Sequence, residues 1–170
     1  MPYYKNSKKN YGNLQKKKWA SYMKEITPAN TPINAGMVGG GFATCVVNST
    51  QDATPTPTII KVKHCKVSFD FFTSSLFNQG FVCLMFVPQG VTPTITSPVQ
   101  HPEWLMAWRG IETSSTDSLK GTQVMLASKI SRNLNSGDSI VVLWSGYNIA
   151  ESGTIGFNSF ARFSCVVRNN

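Results

Sequence analysis

Acidic residues are scarce, eight among 170 against sixteen lysines and arginines. They are also scattered, so no pair of carboxylates stands at a spacing suited to acid and base catalysis. Histidine is scarcer still, with only His64 and His101, and neither HExxH nor G-x-S-x-G occurs. That removes the usual metallopeptidase and esterase patterns. The four cysteines, Cys45, Cys65, Cys83 and Cys165, lie far apart without a CxxC, which speaks against a zinc site or a redox pair. Each sits among apolar or β-forming neighbours, as in Ala-Thr-Cys-Val-Val, and reads as a buried free thiol packed as a small hydrophobe. A disulfide among them stays open. Long apolar runs are missing too: a stretch such as Phe81–Val87 is far too short to cross a bilayer, so no membrane span is expected. The first residues, MPYYK, lack the apolar core of a secretory signal, and a cytosolic origin is expected. No long helical pattern appears after residue 27. No cofactor, resident metal or small-molecule substrate is expected, nor an enzyme.

What is present is basic charge, unevenly spread. The chain carries a formal net charge of +8. Residues 1–27 hold seven lysines and one acid, and residues 28–170 hold nine basic and seven acidic residues, so the body is nearly neutral. A basic arm on a neutral body is the pattern of a polyanion-binding tail on a folded module. Lys5, Lys8, Lys9, Lys16, Lys17, Lys18 and Lys24 are interleaved with Tyr3, Tyr4, Tyr11, Trp19 and Tyr22. Lysines neutralise phosphates, and rings such as Trp19 stack on unpaired bases. The bland alternative, a merely solubilising tail, leaves the density of aromatics without a task. Lys16–Lys18 also fits a weak nuclear-import signal. Trp19, Tyr22, Met23 and Ile26 stand at i, i+3, i+4 and i+7, which predicts a short helix ended by Pro28 and docked on the body or a neighbouring subunit. Residues 28–41, with their prolines and glycines, read as a linker. Gly39–Gly41 is no phosphate loop, since no Lys-Ser or Lys-Thr follows.

Residues 42–170 read as an all-β domain of about eight strands. The stretch Thr122–Trp144 predicts a β-hairpin: Val124, Leu126, Ser128 and Ile130 share one parity, Ile140, Val142 and Trp144 repeat it, and Asn133–Asp138 supplies turn residues. In IIKVKHCKVSFDFF, Ile60 and Val62 fall on one parity and Cys65, Val67, Phe69 and Phe71 on the other, which predicts a β-bulge or a change of sheet near His64. Residues 80–88 form a nearly continuous apolar run, as expected of a strand buried on both faces. Residues 101–110, HPEWLMAWRG, read as another strand. In the closing strand, Ile155–Val167, Phe157, Ser159, Ala161, Phe163, Cys165 and Val167 share one face; ending this way suits a sandwich whose last strand is central. Short strands separated by Pro- and Gly-rich loops indicate a two-sheet sandwich with jelly-roll topology.

Side chains weighed for function are few. His64 and Cys65 are adjacent on a strand and point to opposite faces, which prevents a shared metal site. His101 before Pro102 reads as a loop or interface residue. Trp104, Trp108 and Arg109 are of types enriched at protein interfaces and are the candidates for subunit contacts; an ordinary core position is the competing reading for the tryptophans. Calcium held between subunits by Asp52, Asp70, Glu103 or Asp117 is the minor reading, and no bound metal is the preferred one. The sequon Asn48-Ser49-Thr50 reads as unused.

At FVPQGVTP (86–93), HPEWLMAWRG (101–110), SRNLNSGDSIVVLW (131–144) and IIKVKHCKV, the chain resembles the capsid proteins of circular Rep-encoding single-stranded DNA viruses, circovirus-like. The likeness runs from about Phe42 to Arg168. It implies a single jelly-roll domain that self-assembles into a small icosahedral shell around a circular single-stranded DNA genome, with the arm facing inward. About 60 copies would build the smallest such shell. Partners implied are further copies of the chain, the genome, host nuclear-import factors and a receptor; the locations implied are the virion and the host nucleus. The arm departs from the family in being short and rich in lysine without arginine, so binding is expected to be salt-sensitive and independent of sequence. Two other functions fit the same residues. One is the capsid protein of a small RNA satellite virus, separated only by the packaged nucleic acid. The other is a non-assembling cellular single-strand-binding β-barrel, which should carry basic and aromatic residues on its sheet as well as its arm.

Overall fold

A computed structural model describes residues 18–49, 59–73, 77–111, 122–149 and 152–169. Its strands are β1 (Ala20–Asn34), β2 (Val38–Val47), β3 (Ile60–Thr73), β4 (Phe77–Val87), β5 (Leu105–Ile111), β6 (Thr122–Ser128), β7 (Arg132–Leu134), β8 (Ser139–Asn148) and β9 (Thr154–Asn169). Between β4 and β5 lie a short helix α1 (Ser97–Gln100) and a single 3-10 turn (Pro102–Trp104).

Two antiparallel sheets face each other. Sheet A runs β1-β9-β3-β6, with the short β7 also pairing β3, and sheet B runs β2-β8-β4-β5. Setting β7 aside, successive strands alternate between sheets except for β4 and β5, which pair within sheet B, and this is the order that defines a jelly roll. The expected all-β jelly-roll sandwich is therefore what forms, and the last strand is central, between β1 and β3.

Period-two alternation builds the core from both inner faces. Val62, Cys65, Val67, Phe69 and Phe71 of β3, Ala161, Phe163 and Cys165 of β9, and Ile140, Val142 and Trp144 of β8 are all buried in it. The Phe69 and Trp144 rings sit 5.5 Å apart. Gly41 lets that indole lie against β2, since a Cβ there would come within 2.9 Å of it. β4 is buried on both faces, as its apolar run foretold: Val82 and Leu84 join the main core, whereas Cys83, Met85 and Val87 join a second cluster with Val141 and Leu143 on the outer side of sheet B. The chain between β4 and β5 covers that cluster, with Trp104 and Leu105 packed on it.

The bulge expected near His64 is present. Against β9 the register shifts between Lys63 and Lys66, and His64 adopts φ +53°, in the left-handed region. The extra residue restores parity, so Val62 before it and Cys65 after it both point into the core. His64 itself is exposed while Cys65 is buried.

Four expectations need correction. Residues 19–26 form no helix. From Ala20 the chain is β1, paired along β9, with Tyr22 and Ile26 inward and Met23 exposed. A short isolated helix is marginal, and a full ladder on a central strand outweighs it. Residues 28–41 are not a linker but the second half of β1, a turn at Ala35–Met37 and the start of β2; Pro28 falls where the β1 register shifts between Ile26 and Ala29, the kind of position that tolerates a missing N–H. Thr122–Trp144 is not a hairpin. β6 is the edge of sheet A and β8 lies in the middle of sheet B, and Ile130, which the hairpin parity would bury, is 43% exposed. Alternation fixes which face of a strand is apolar without fixing the sheet it joins. Finally, residues 101–104 turn rather than extend, and the strand begins at Leu105.

The Asn133–Asp138 turn is nevertheless built as its residues suggest. Gly137 has φ +80°, and the Asp138 carboxylate accepts from the backbone N–H of Asn135 (2.8 Å) and of Gln89 (3.0 Å). Asn48, fully buried, donates from its side chain to the Leu134 carbonyl (2.9 Å), which makes it a poor acceptor for a glycan.

Candidate functional site

The outer face of sheet A follows from the parity of its strands. On β3, residues that bury Val62, Cys65 and Val67 must present Lys61, Lys63, Lys66 and Ser68 outward. On β9, burying Phe163 and Cys165 turns Arg162, Ser164, Val166 and Arg168 outward. Register then sets cation opposite cation: Lys61 pairs with Arg168, next to Lys63 opposite Val166. Like charges directly opposite each other on a sheet are unfavourable. The bulge adds the exposed ring of His64 between Lys63 and Lys66.

Trp19 joins this surface at the entry to β1. Its ring lies 4.0 Å from the Lys63 ammonium and 4.9 Å from the Arg168 guanidinium, so one indole holds two cations side by side. Beside it, Lys18, Ala20, Val167, Arg168 and Asn169 line an open groove of about 410 Å³. Two acids on the described part of this face lie toward the other end and are engaged: Glu25 pairs with Arg162 (3.2 Å) and Asp70 accepts from the Gln123 amide (3.0 Å). Among the described residues, the charge therefore grades from mixed to cationic toward the end where β1 begins.

The nucleic-acid candidates distribute unevenly over this geometry. Lys18 and Trp19 lie at the cationic end. Lys24 does not, because its ammonium reaches across to the Thr44 carbonyl of β2 (2.8 Å). Lys5, Lys8, Lys9, Lys16 and Lys17 lie outside the described residues. Sequence reading missed Lys61, Lys63, Lys66 and Arg168 as a group, because the body's net charge averages away a local excess. The signal that could have found them is the basic-apolar alternation of IIKVKHCKV combined with the parity shift.

The interface candidates sit on sheet B. β5 is an edge strand paired only to β4, and on it Trp108 is 66% exposed and Arg109 is exposed. A core position is thereby ruled out for Trp108. Trp104 is half-buried, stacked on His101 at 3.8 Å between centroids and packed on the outer cluster of sheet B. His101 Nδ1 and Glu103 Oε1 lie 3.3 Å apart, and the Arg132 guanidinium donates to the Glu103 carbonyl, closing the covering segment onto the sandwich.

The cysteines are free and buried. Burial pushes the Cys45 and Cys83 thiols up to about 12. A hydrogen bond to Cys165, reinforced by burial, holds Cys65 in its thiol form. All four serve as packing groups. Among the described residues no three His, Cys, Asp or Glu side chains gather as a metal site; Asp70 and Glu103 lie on different parts of the fold, and Asp52 and Asp117 are outside the described residues.

Neither a protein-family model nor a curated protein matches the chain. Among solved structures it is similar to a chain of Desmodium yellow mottle tymovirus, with 15% sequence identity over 88% of this chain and 87% of that one and a TM-score of 0.38. It is also similar to a chain of infectious bursal disease virus, Gx strain, with 9% identity over 100% of this chain and 42% of that one and a TM-score of 0.33. Both are viral chains, and likenesses this distant leave the jelly-roll assignment resting on the strand order itself.

Proposed function

We propose that the chain is a viral capsid protein that self-assembles into a small icosahedral shell of about 60 copies and packages a circular single-stranded DNA genome through its Lys-rich N-terminal arm. The observation that carries this reading is the two-sidedness of the sandwich. One outer face is cationic at the end where β1 begins, while the opposite sheet is covered by its own loop segment and offers an edge bearing Trp108 and Arg109. A shell subunit needs that division, with a polyanion on one side and neighbouring copies at the edges. Assembly needs no catalysis, and the thiols are placed as core. The virion and, during assembly, the host nucleus are the locations this function requires.

The test is to purify the full chain, image it by electron microscopy, and measure its absorbance ratio at 260 and 280 nm before and after nuclease. Uniform small shells with nuclease-protected nucleic acid are expected, and sequencing the contents identifies DNA or RNA. A monomer that stays monomeric with single-stranded DNA would overturn the reading in favour of a non-assembling binding module.

A further inference from the structure

We infer that the cationic end of sheet A is a nucleic-acid site in its own right, binding the phosphate backbone of a single strand through Lys61, Lys63, Lys66 and Arg168, separately from the arm. This rests on the packaging function proposed above and adds to it a site within the folded domain.

Four observations converge. Lys61 and Lys63 are two residues apart on a strand, about 7 Å, and Arg168 stands directly across from Lys61 on a strand about 5 Å away. Phosphate charges along an extended strand can be met by such a row without the concave groove that a duplex or a folded ligand would require. Second, the Lys61–Arg168 register gathers two positive charges on one patch of the face, which raises the local potential toward an anionic partner. Third, none of the described acids neutralises this end, since Glu25 and Asp70 are engaged further along the face. Fourth, Trp19 fixes Lys63 and Arg168 on one ring at the entry to β1, the point in the chain that directly follows the lysine-rich segment. The indole is occupied by cations, so the face reads phosphates and not base identity.

The experiment uses full-length protein and a fluorescently labelled oligothymidylate, with affinity measured across a salt series. One variant neutralises the arm (Lys5, Lys8, Lys9, Lys16, Lys17 and Lys18→Gln), one neutralises the face (Lys61, Lys63 and Lys66→Gln), and one combines them. Each phosphate neutralised on a single strand contributes about 0.7 to the slope of log affinity against log salt. The arm variant should keep a residual slope of about 2.8 from four cations, a loss of roughly 50-fold between 50 and 200 mM salt. Adding the face substitutions should lower that slope by about 2.1, and replacing the same three lysines with arginine should preserve it. Unfolding midpoints matched to wild type establish that the variants are folded. If the face substitutions leave affinity and slope unchanged in the arm-neutral background, the inference is overturned and the arm alone binds. If the wild-type chain itself fails to bind oligothymidylate, the packaging function falls, and the face site with it.

Discussion

Removing one residue from the middle of a central strand ordinarily inverts every side chain on one side of the cut. In β3 the outcome depends on which residue goes. Deleting Ser68 forces one half of the strand to flip. If the first half holds its register, Phe69 and Phe71, 0% and 1% exposed, turn to solvent and Asp70 turns into the core. At about 1.5–3 kcal/mol for each large apolar side chain, the loss is about 3–6 kcal/mol before the carboxylate is counted, much of a typical domain's 5–15 kcal/mol. If the second half holds instead, Cys65 and Val67 turn out and Lys66 turns in, with a similar result. Deleting His64 does something different. Lys63 then stands beside Cys65 opposite Cys165, the ladder from Lys63–Val166 to Lys66–Ser164 becomes regular, and Val62 and Cys65 both keep their inward direction. The left-handed backbone at φ +53°, which costs about 1–2 kcal/mol, disappears, offsetting the lost bend. On the β6 side, residues 129–131 lie outside the ladder and supply slack. The deletion should therefore shift stability by no more than about 2 kcal/mol, within the range of ordinary point changes. Urea unfolding followed by tryptophan fluorescence, extrapolated to water, measures both variants. A His64 deletion as damaging as the Ser68 deletion would refute the view that the bulge only restores parity.

Three further outcomes are expected of the same fold. Trp108→Ala removes an exposed indole, so the unfolding free energy of the unassembled chain should change by less than about 0.5 kcal/mol, while the concentration needed for assembly, read by light scattering, rises at least tenfold if the residue is a contact anchor. Gly40→Ala should destabilise by about 1–3 kcal/mol in thermal unfolding, because a Cβ there collides with the Trp144 carbonyl oxygen and with Ile95. Under reducing conditions, stability should fall as pH rises above about 9. Cys45 and Cys83 are raised from 9.0 to about 12 in the fold, so the unfolded chain releases protons that the folded chain retains between those values. Each thiol contributes a slope of about 1.4 kcal/mol per pH unit in that window, and the Cys45→Ala, Cys83→Ala double variant should show a correspondingly flatter profile.

Much of the fold is legible in the residues, and the gaps have physical causes. β3, β4 and β9 announce themselves because each alternates or saturates with apolar side chains over its length, and the bulge appears as a parity break at His64. β1 is hidden because Trp19, Tyr22, Met23 and Ile26 also satisfy a helical period, and only the ladder on β9 decides between them. β6 and β8 do not pair as their alternation suggests because local alternation carries no information on long-range partners, and in this jelly roll most sequential strands change sheets. Of the candidate site, the arm is plain from its charge. The sheet face is not, because opposition of Lys61 to Arg168 depends on a pairing between residues more than a hundred positions apart.

The most direct measurement is a three-dimensional reconstruction of the particles formed by the full chain, with and without their nucleic acid. The outer face of sheet A, from Trp19 through Lys63 to Arg168, should line the interior beside the nucleic-acid density, with Trp108 buried between copies. Particles with that face on the exterior, or no closed particle under any condition, would contradict the assignment of this chain as a shell subunit.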